Sequence, residues 1–334
     1  MKTDEPMTIS IVGKGAVGTA LANQCASKGV EVRFVRILGE PVNEASKQWS
    51  SNQAGPNQEA LNQHSSKHDV PTEYSLDAWL NDLSQQRPQK HWVILAVPDD
   101  AIMPTVDRIL KGWQSISDEP LTSAMDAIAH TSGGRSSEDF QHFQDQGIFT
   151  ASMHPIQTFH KSAEEPNLHP GFHEQVNPFD SINITLEGDA PFLPQLTHFC
   201  QQILDAHPID VTRTQKQQIH AAAVLASNYL FPNLSLASTY LQDAGLSPTL
   251  LEPLASQTVQ AALHQGLAAI SGPVARLDYQ TIRRNMDVLS SHSATKQRYI
   301  DESIILVNQL LESGHYDGKR EQAQDLLKML HAER

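Results

Sequence analysis

The chain has 334 residues, 24 Lys and Arg against 38 Asp and Glu, a formal net charge of −14 and only 2 cysteines. At about 150 residues per domain this length makes two domains, each able to bury its own core, and excludes a small stapled scaffold. The negative balance speaks against a nucleic-acid partner, because affinity for polyphosphate rests on Lys and Arg displacing counterions.

The first elements read as β-α-β. Thr8–Val12 is a short β-branched run suited to a buried parallel strand, and it stops at Gly13. From Ala16 to Lys28 the apolar residues Val17, Leu21 and Cys25 recur at helical spacing, Gly29 supplies the stop, and Glu31–Ile37 returns as a second strand. The turn between strand and helix is Gly13-Lys14-Gly15-Ala16-Val17-Gly18, the spacing G-x-G-x-x-G. Its first glycine permits the tight turn, its second lets backbone approach a pyrophosphate, and its third lets helix pack on strand. Free N–H groups at the helix start then face the anion. Gly13 to Gly18 are therefore candidate cofactor-binding residues. NAD enzymes usually place an Asp or Glu at the end of the second strand for the ribose 2′-hydroxyl. Here that end reads Val35-Arg36-Ile37, with the nearest carboxylate, Glu40, beyond a glycine. A guanidinium suits a 2′-phosphate, so NADP is expected ahead of NAD. The plain alternative is an arginine pointing to solvent.

From Leu38 to about Val70 periodicity is lost among Asn, Gln, Ser and Gly, which predicts a surface insertion. Ser75–Gln85 is a helix with Leu76, Trp79, Leu80 and Leu83 on one face. Trp92–Val97 is another buried strand, ending in Pro98-Asp99-Asp100. Val97 and Pro98 are expected beside the nicotinamide side of the crevice, and Asp100 is expected to cap the next helix. Asp126–His130 and Gly147–Met153 follow as strands. Their exits, Thr131-Ser132-Gly133-Gly134 and His154-Pro155-Ile156-Gln157, emerge where open α/β sheets bind ligands and form the expected substrate floor.

Ser181–Leu186 and Phe192–Leu204 read as a last strand and helix of the sheet. After Val211 the grammar turns helical: Gln215–Asp243, Pro248–Gln265, Tyr279–His292, Ala294–Ser313 and Gly318–His331 are punctuated by Gly245, Gly266, Gly314 and Gly318. The expected domains are thus 1–211, dinucleotide-binding, and 212–334, all-helical. Ile219–Tyr229 is small and apolar nearly all round, which predicts a central helix buried on most sides, against the nucleotide domain or a second subunit. At helical spacing His220 and Ser227 fall within about 20° and Asn228 within about 80° of His220, so the three are expected to share a cleft wall. In Gly272-Pro273-Val274-Ala275-Arg276-Leu277-Asp278, Asp278 is an expected N-cap, and Arg276 either holds a substrate carboxylate or pairs with Asp278.

Gly13–Gly18, Val97-Pro98-Asp99, His130-Thr131-Ser132-Gly133, Ser152 to Phe159, His220-Ala221-Ala222-Ala223 with Ser227-Asn228-Tyr229, and Gly272–Arg276 together resemble the Rossmann-like proteins that carry the DUF2520 domain. That family is similar to the F420-dependent NADP oxidoreductases, the ketopantoate and pyrroline-carboxylate reductases and the 6-phosphogluconate dehydrogenase group. The resemblance implies a doubly wound Rossmann-type α/β sheet followed by an all-α C-terminal domain of the 6-phosphogluconate dehydrogenase-like type. It spans nearly the whole chain and fixes architecture better than substrate. Two positions differ: the family pattern Arg-Gly-Asp is here Arg276-Leu277-Asp278, and a family histidine farther along the next helix is Asn285.

His154 follows a strand expected at the crevice, a location that resembles that of the active-site histidine in 3-hydroxyacyl-CoA and prephenate dehydrogenases. Imidazole titrates near neutrality, so His154 is the candidate to give a proton to a carbonyl oxygen or imine nitrogen during hydride transfer and take it back in reverse, or else a strand-end histidine bonded to backbone. Ser132 and Asn228 complete the candidate catalytic set. His220, Ser227, Arg276 and Gln157 are candidates for binding substrate. The expected activity is an NADP-dependent oxidoreductase acting on a small polar, carboxylate-bearing C=O/C–OH or C=N/C–NH compound. Its rival is a nucleotide-binding regulator or scaffold without turnover, and an F420-coupled reaction is a further alternative. His169 and His173 flank Pro170-Gly171 and no H-E-x-x-H occurs, so no metal is expected. Cys25 and Cys200 lack C-x-x-C spacing, no apolar run reaches membrane-spanning length, and Asp4 and Glu5 stand where a signal peptide has basic residues. A cytoplasmic homodimer with no membrane partner is the expectation.

Overall fold

A computed structural model describes residues 7–37, 72–159 and 177–334. The insertion expected at 38–70 and the His169/His173 pair lie outside them. The chain divides into two compact units, Met1–Ala223 and Val224–Arg334.

The first unit is built on a sheet of eight strands in the order β3-β2-β1-β4-β5-β6-β7-β8. They are β1 (Met7–Val12), β2 (Glu31–Arg36), β3 (Thr72–Ser75), β4 (Lys90–Leu95), β5 (Ala127–His130), β6 (Phe149–Pro155), β7 (Asn183–Gly188) and β8 (His207–Asp210). All neighbouring pairs are parallel except β6 with β7. The helices are α1 (Ala16–Ser27), α2 (Leu76–Gln85), α3 (Asp99–Ile116), α4 (Gln141–Gln144), α5 (Leu193–Gln202) and α6 (Arg213–Ala226), the last running into the second unit. Alternation along the strands makes two cores. Ile9, Ile11, Phe34, Trp92 and Ile94 pack with Leu21 and Cys25 of α1 and Leu196, Phe199 and Cys200 of α5. Val12, Val35, Val93 and Leu95 pack with Trp79, Leu80 and Leu83 of α2 and Ile102, Val106 and Ile109 of α3. Helices therefore cover both faces of the sheet, the doubly wound arrangement expected, and the carboxyl ends of β1, β4, β5 and β6 share one edge.

Two strands escaped the sequence reading. β3 hides between an aperiodic stretch and a helix cap, and β8, His207-Pro208-Ile209-Asp210, is short, contains proline and sits at the sheet edge where proline is tolerated. Asp100 does not cap α3. Pro98 holds the N-cap position, and Asp99 and Asp100 fall in the first turn, where a carboxylate still meets the positive end of the helix.

The second unit is all-helical: α7 (Leu230–Asp243), α8 (Glu252–Gln265), α9 (Tyr279–Val288), α10 (Ser293–Glu312) and α11 (Arg320–Ala332). Its core joins Ile282 and Met286 of α9, Ile300, Ile304, Val307 and Leu310 of α10, and Ala323, Leu326 and Leu330 of α11. Asp278 caps α9 as expected, its carboxylate accepting the Thr281 N–H at 3.1 Å. Leu277 takes the left-handed conformation, φ 57°, at the position where the family pattern has glycine.

The expected helix Gln215–Asp243 is interrupted. α6 ends at Ala226, and Ser227-Asn228-Tyr229 form a turn before α7. Pro232 explains the break: it has no N–H for the Asn228 carbonyl, and in a continuous helix its ring would press on that carbonyl. The expected burial of Ile219–Tyr229 is not observed in the single chain. Leu225 is 66 % exposed and Tyr229 56 %.

Candidate active site

The turn after β1 is shaped by backbone crowding. Gly13 has φ 113°, and a Cβ there would lie 2.4 Å from the Ala96 carbonyl oxygen just after β4. A Cβ on Gly18 would lie 2.0 Å from the Gly13 carbonyl oxygen. The turn thus packs directly on the β4 exit, where Val97 and Pro98 lead into α3. Gly15 is the N-cap of α1, with no side chain capping the helix and no acidic residue in its first turn. The amides of Ala16, Val17 and Gly18 are left for an anion, which fits the pyrophosphate of a dinucleotide. Lys14 and Arg36 both reach Glu73 of β3, Lys14 Nζ at 2.7 Å from Oε1 and Arg36 on Oε2. Arg36 is therefore in an ion pair rather than pointing alone to solvent.

A second cluster forms at the exits of β5 and β6. The Ser132–Ser137 loop is pinned from two sides. Lys216 of α6 is 1 % exposed, and its ammonium donates to the carbonyls of Ser132 at 2.7 Å, Gly133 at 3.0 Å and Arg135. Glu187 of β7 accepts from Ser136 Oγ at 3.0 Å, Ser137 N at 2.9 Å and Ser137 Oγ at 2.7 Å. The Ser132 hydroxyl accepts the N–H groups of Gly134 and Arg135 at 3.2 and 3.1 Å, so it shapes the loop. The rings of His154 and His220 meet edge to face, centroids 5.6 Å apart. A Cβ on Gly133 would come within 2.3 Å of His220 Nδ1 and 2.7 Å of His154 Nε2, so only a bare backbone passes between loop and rings. His154 Nδ1 is buried and has no hydrogen-bond partner among the described residues.

The charges follow from this packing. Burial, with the Lys216 and His220 charges added, pushes the His154 imidazole down to about 4. Burial and Lys216 take His130 to about 4 as well. Burial lowers Lys216 to about 8 against the pull of Glu187, Asp99 and Asp139. Near pH 7 His154 and His130 are therefore neutral beside a cationic Lys216 ammonium.

Ser132, His154 and His220 are thus brought together. Gln157 is exposed, its Oε1 accepting the Thr158 N–H at 2.9 Å. Ser227, Asn228 and Arg276 belong to the second unit. Ser227 Oγ donates to Asn228 Oδ1 at 3.0 Å, both in the turn between α6 and α7. Arg276 is exposed, with Asp278 as a nearby charge. Lys216, Glu187 and Glu73 went unseen in the sequence. Lys216 lies in the polar run Arg213-Thr214-Gln215-Lys216-Gln217-Gln218, which reads as a solvated helix face. Its spacing of four residues from His220 was the available signal. Among the described residues, no group of three or more His, Cys, Asp or Glu is arranged to hold a metal, and no helix is long and apolar enough to cross a membrane.

Residues 182–303 match the family model described as a domain of unknown function, DUF2520. No curated protein sequence matches the chain. Among solved structures, a Bacteroides fragilis protein provisionally described as an NADP oxidoreductase is similar over 90 % of this chain and 97 % of its own, at 19 % identity and TM-score 0.62. A Thermotoga maritima protein is similar over 91 % and 98 %, at 20 % identity and TM-score 0.53. The imine reductase of Myxococcus stipitatus, solved with NADP+, is similar over 92 % and 95 %, at 13 % identity and TM-score 0.54. At these identities the likeness is one of fold: a Rossmann sheet with an all-α second half.

Proposed function

We propose that this Rossmann-like chain with its DUF2520 domain is an NADP-dependent oxidoreductase for a small, polar, carboxylate-bearing C=O/C–OH or C=N/C–NH substrate. One observation carries the reading: an uncapped helix start behind a glycine turn with no room for a Cβ at Gly13 or Gly18 shares a sheet edge with a buried imidazole whose Nδ1 has no hydrogen-bond partner among the described residues. Bound NADP supplies or accepts the hydride. The chain's own residues position the coenzyme and manage the proton. Amides of Ala16, Val17 and Gly18 would hold the pyrophosphate, and Lys14 and Arg36 would pair with the 2′-phosphate. The fold's similarity to proteins described as NADP enzymes supports this choice.

His154, neutral near pH 7, is poised to accept a proton from a substrate hydroxyl or ammonium. To act in reduction it must first be protonated, and an anionic substrate beside it favours that by raising its pKa. Lys216 supplies the positive charge that draws a carboxylate to this end of the sheet while holding the Ser132–Arg135 loop in place. Asn228, Ser227 and Arg276 are further proposed substrate contacts. A homodimer is proposed because Leu225, Tyr229 and Phe231 are exposed at 66 %, 56 % and 62 % and need cover. The two free, buried thiols suit a cytoplasmic setting.

The test is turnover with NADPH over a panel of keto acids and cyclic imines, and with NADP+ over the matching hydroxy acids and amines. His154→Ala is expected to cut kcat by about 100-fold or more with NADPH affinity kept. If the parent binds NADPH but turns over no member of the panel in either direction, the non-catalytic nucleotide-binding module replaces the enzyme. If His154→Ala matches the parent, His154 is not the proton carrier.

A further inference from the structure

The edge strand β3 carries a carboxylate to the place where the adenosine ribose of a dinucleotide lies in this fold, between the glycine turn and the end of the second strand. Glu73 Oε1 accepts Lys14 Nζ from the turn at 2.7 Å, and Oε2 accepts Arg36 from the end of β2. The contact is built by topology. β3 pairs in parallel with β2, Phe34 opposite Glu73, so Glu73 lies level with the last residues of β2. Arg36 Nε is buried and has no hydrogen-bond partner among the described residues. Partial burial alone would raise the Glu73 carboxyl, but Lys14 and Arg36 hold it below the usual carboxylate range, so it is ionised at neutral pH.

We propose that Glu73 is a built-in occupant of the 2′-phosphate subsite, neutralising Lys14 and Arg36 until a 2′-phosphate displaces it, and that it thereby sets the coenzyme preference of the chain. The proposal rests on the reading of the glycine turn as a dinucleotide site. Two cations favour a phosphate dianion. One carboxylate opposes it and at the same time offers an acceptor to a 2′-hydroxyl, as acidic residues near this position do in NAD enzymes. The preference for NADPH over NADH is therefore smaller than Lys14 and Arg36 alone would give. Removing one negative charge from beside a dianion in a water-like dielectric is worth about tenfold in affinity.

The experiment is calorimetric titration of the full chain and of Glu73→Gln with NADPH, NADH, adenosine 2′,5′-bisphosphate and AMP. The Glu73 side chain is 42 % exposed, so the variant is expected to melt with the parent. The expected result is NADPH and adenosine 2′,5′-bisphosphate tightening by about tenfold, with NADH and AMP unchanged or several-fold weaker. Arg36→Gln is expected to move the two 2′-phosphorylated ligands the other way. If the parent binds these ligands but Glu73→Gln leaves the NADPH-to-NADH ratio unaltered, the role of Glu73 is refuted and the dinucleotide site stands. If the parent binds none of the four, both fall.

Discussion

Acidification is expected to destabilise the sheet unit through its buried imidazoles, His130 and His154 at the candidate site and His91 at the start of β4. His91 on β4 is fully buried, with Nδ1 2.7 Å from the Ala124 carbonyl oxygen and Nε2 2.7 Å from Ser10 Oγ of β1. A carbonyl only accepts, so Nδ1 carries the hydrogen and Nε2 accepts from Ser10, whose oxygen in turn accepts Trp79 Nε1 at 2.8 Å. A second proton on the ring would turn Nε2 into a donor and leave the Ser10 hydrogen with nowhere to go. Burial, with Arg33 and Arg87 nearby, lowers the His91 pKa from an ordinary 6.5 to about 4. The unfolded chain then binds more protons than the folded one between those values, so stability is complete above pH 6.5 and is lost as pH falls toward 4. At pH 5 a shift of this size withdraws about 2 kcal/mol, a large share of a domain's usual stability. Urea unfolding followed by fluorescence of the buried Trp79, Trp92 and Trp113 at pH 8, 7, 6 and 5 measures it. The midpoint is expected to fall steadily below pH 7, with the His91 ring resonances showing no titration down to pH 5. Equal midpoints at pH 7 and pH 5, or a His91 ring titrating near 6.5, would refute the reasoning.

Two further substitutions probe the site directly. Gly18→Ala places a methyl on the Gly13 carbonyl, and since both are backbone-bound the turn must open. NADPH affinity is expected to drop by about 100-fold and stability by about 1–3 kcal/mol, read by titration and by urea unfolding. Lys216→Met removes the donor to the Ser132, Gly133 and Arg135 carbonyls, so a destabilisation of about 1–3 kcal/mol is expected. With that positive charge gone the His154 pKa is expected to rise, which NMR titration of the ring reads; an unmoved His154 would show that Lys216 does not set its protonation.

How far the residues announced this arrangement depends on how local each signal is. Gly13 to Gly18 declared themselves because the strand before, the helix after and the glycine spacing all lie within one short β-α-β unit. The position of His154 was legible because it ends a strand of clear β pattern. Lys216 was not, because what buries it is the Ser132–Arg135 loop, far off in sequence, and its own neighbours are polar. Glu73 was hidden for the same reason, since only the pairing of β3 with β2 brings it to Lys14 and Arg36. The break at Ser227-Asn228-Tyr229 was written in Pro232, but the apolar run before it masked the proline's effect on a helix. Burial of that run was inferred from composition alone, which cannot say whether the covering surface belongs to the same chain.

In the proposed enzyme the bare amides behind Gly13-Lys14-Gly15 would hold the pyrophosphate of NADP, with the nicotinamide beside His154. A crystal structure of the chain grown with NADP+ tests it most directly. The pyrophosphate is expected on the amides of Ala16, Val17 and Gly18, the 2′-phosphate between Lys14 and Arg36, and the nicotinamide ring at the His154–His220 pair. A coenzyme bound elsewhere on the chain, or a nicotinamide turned away from those two rings, would contradict it.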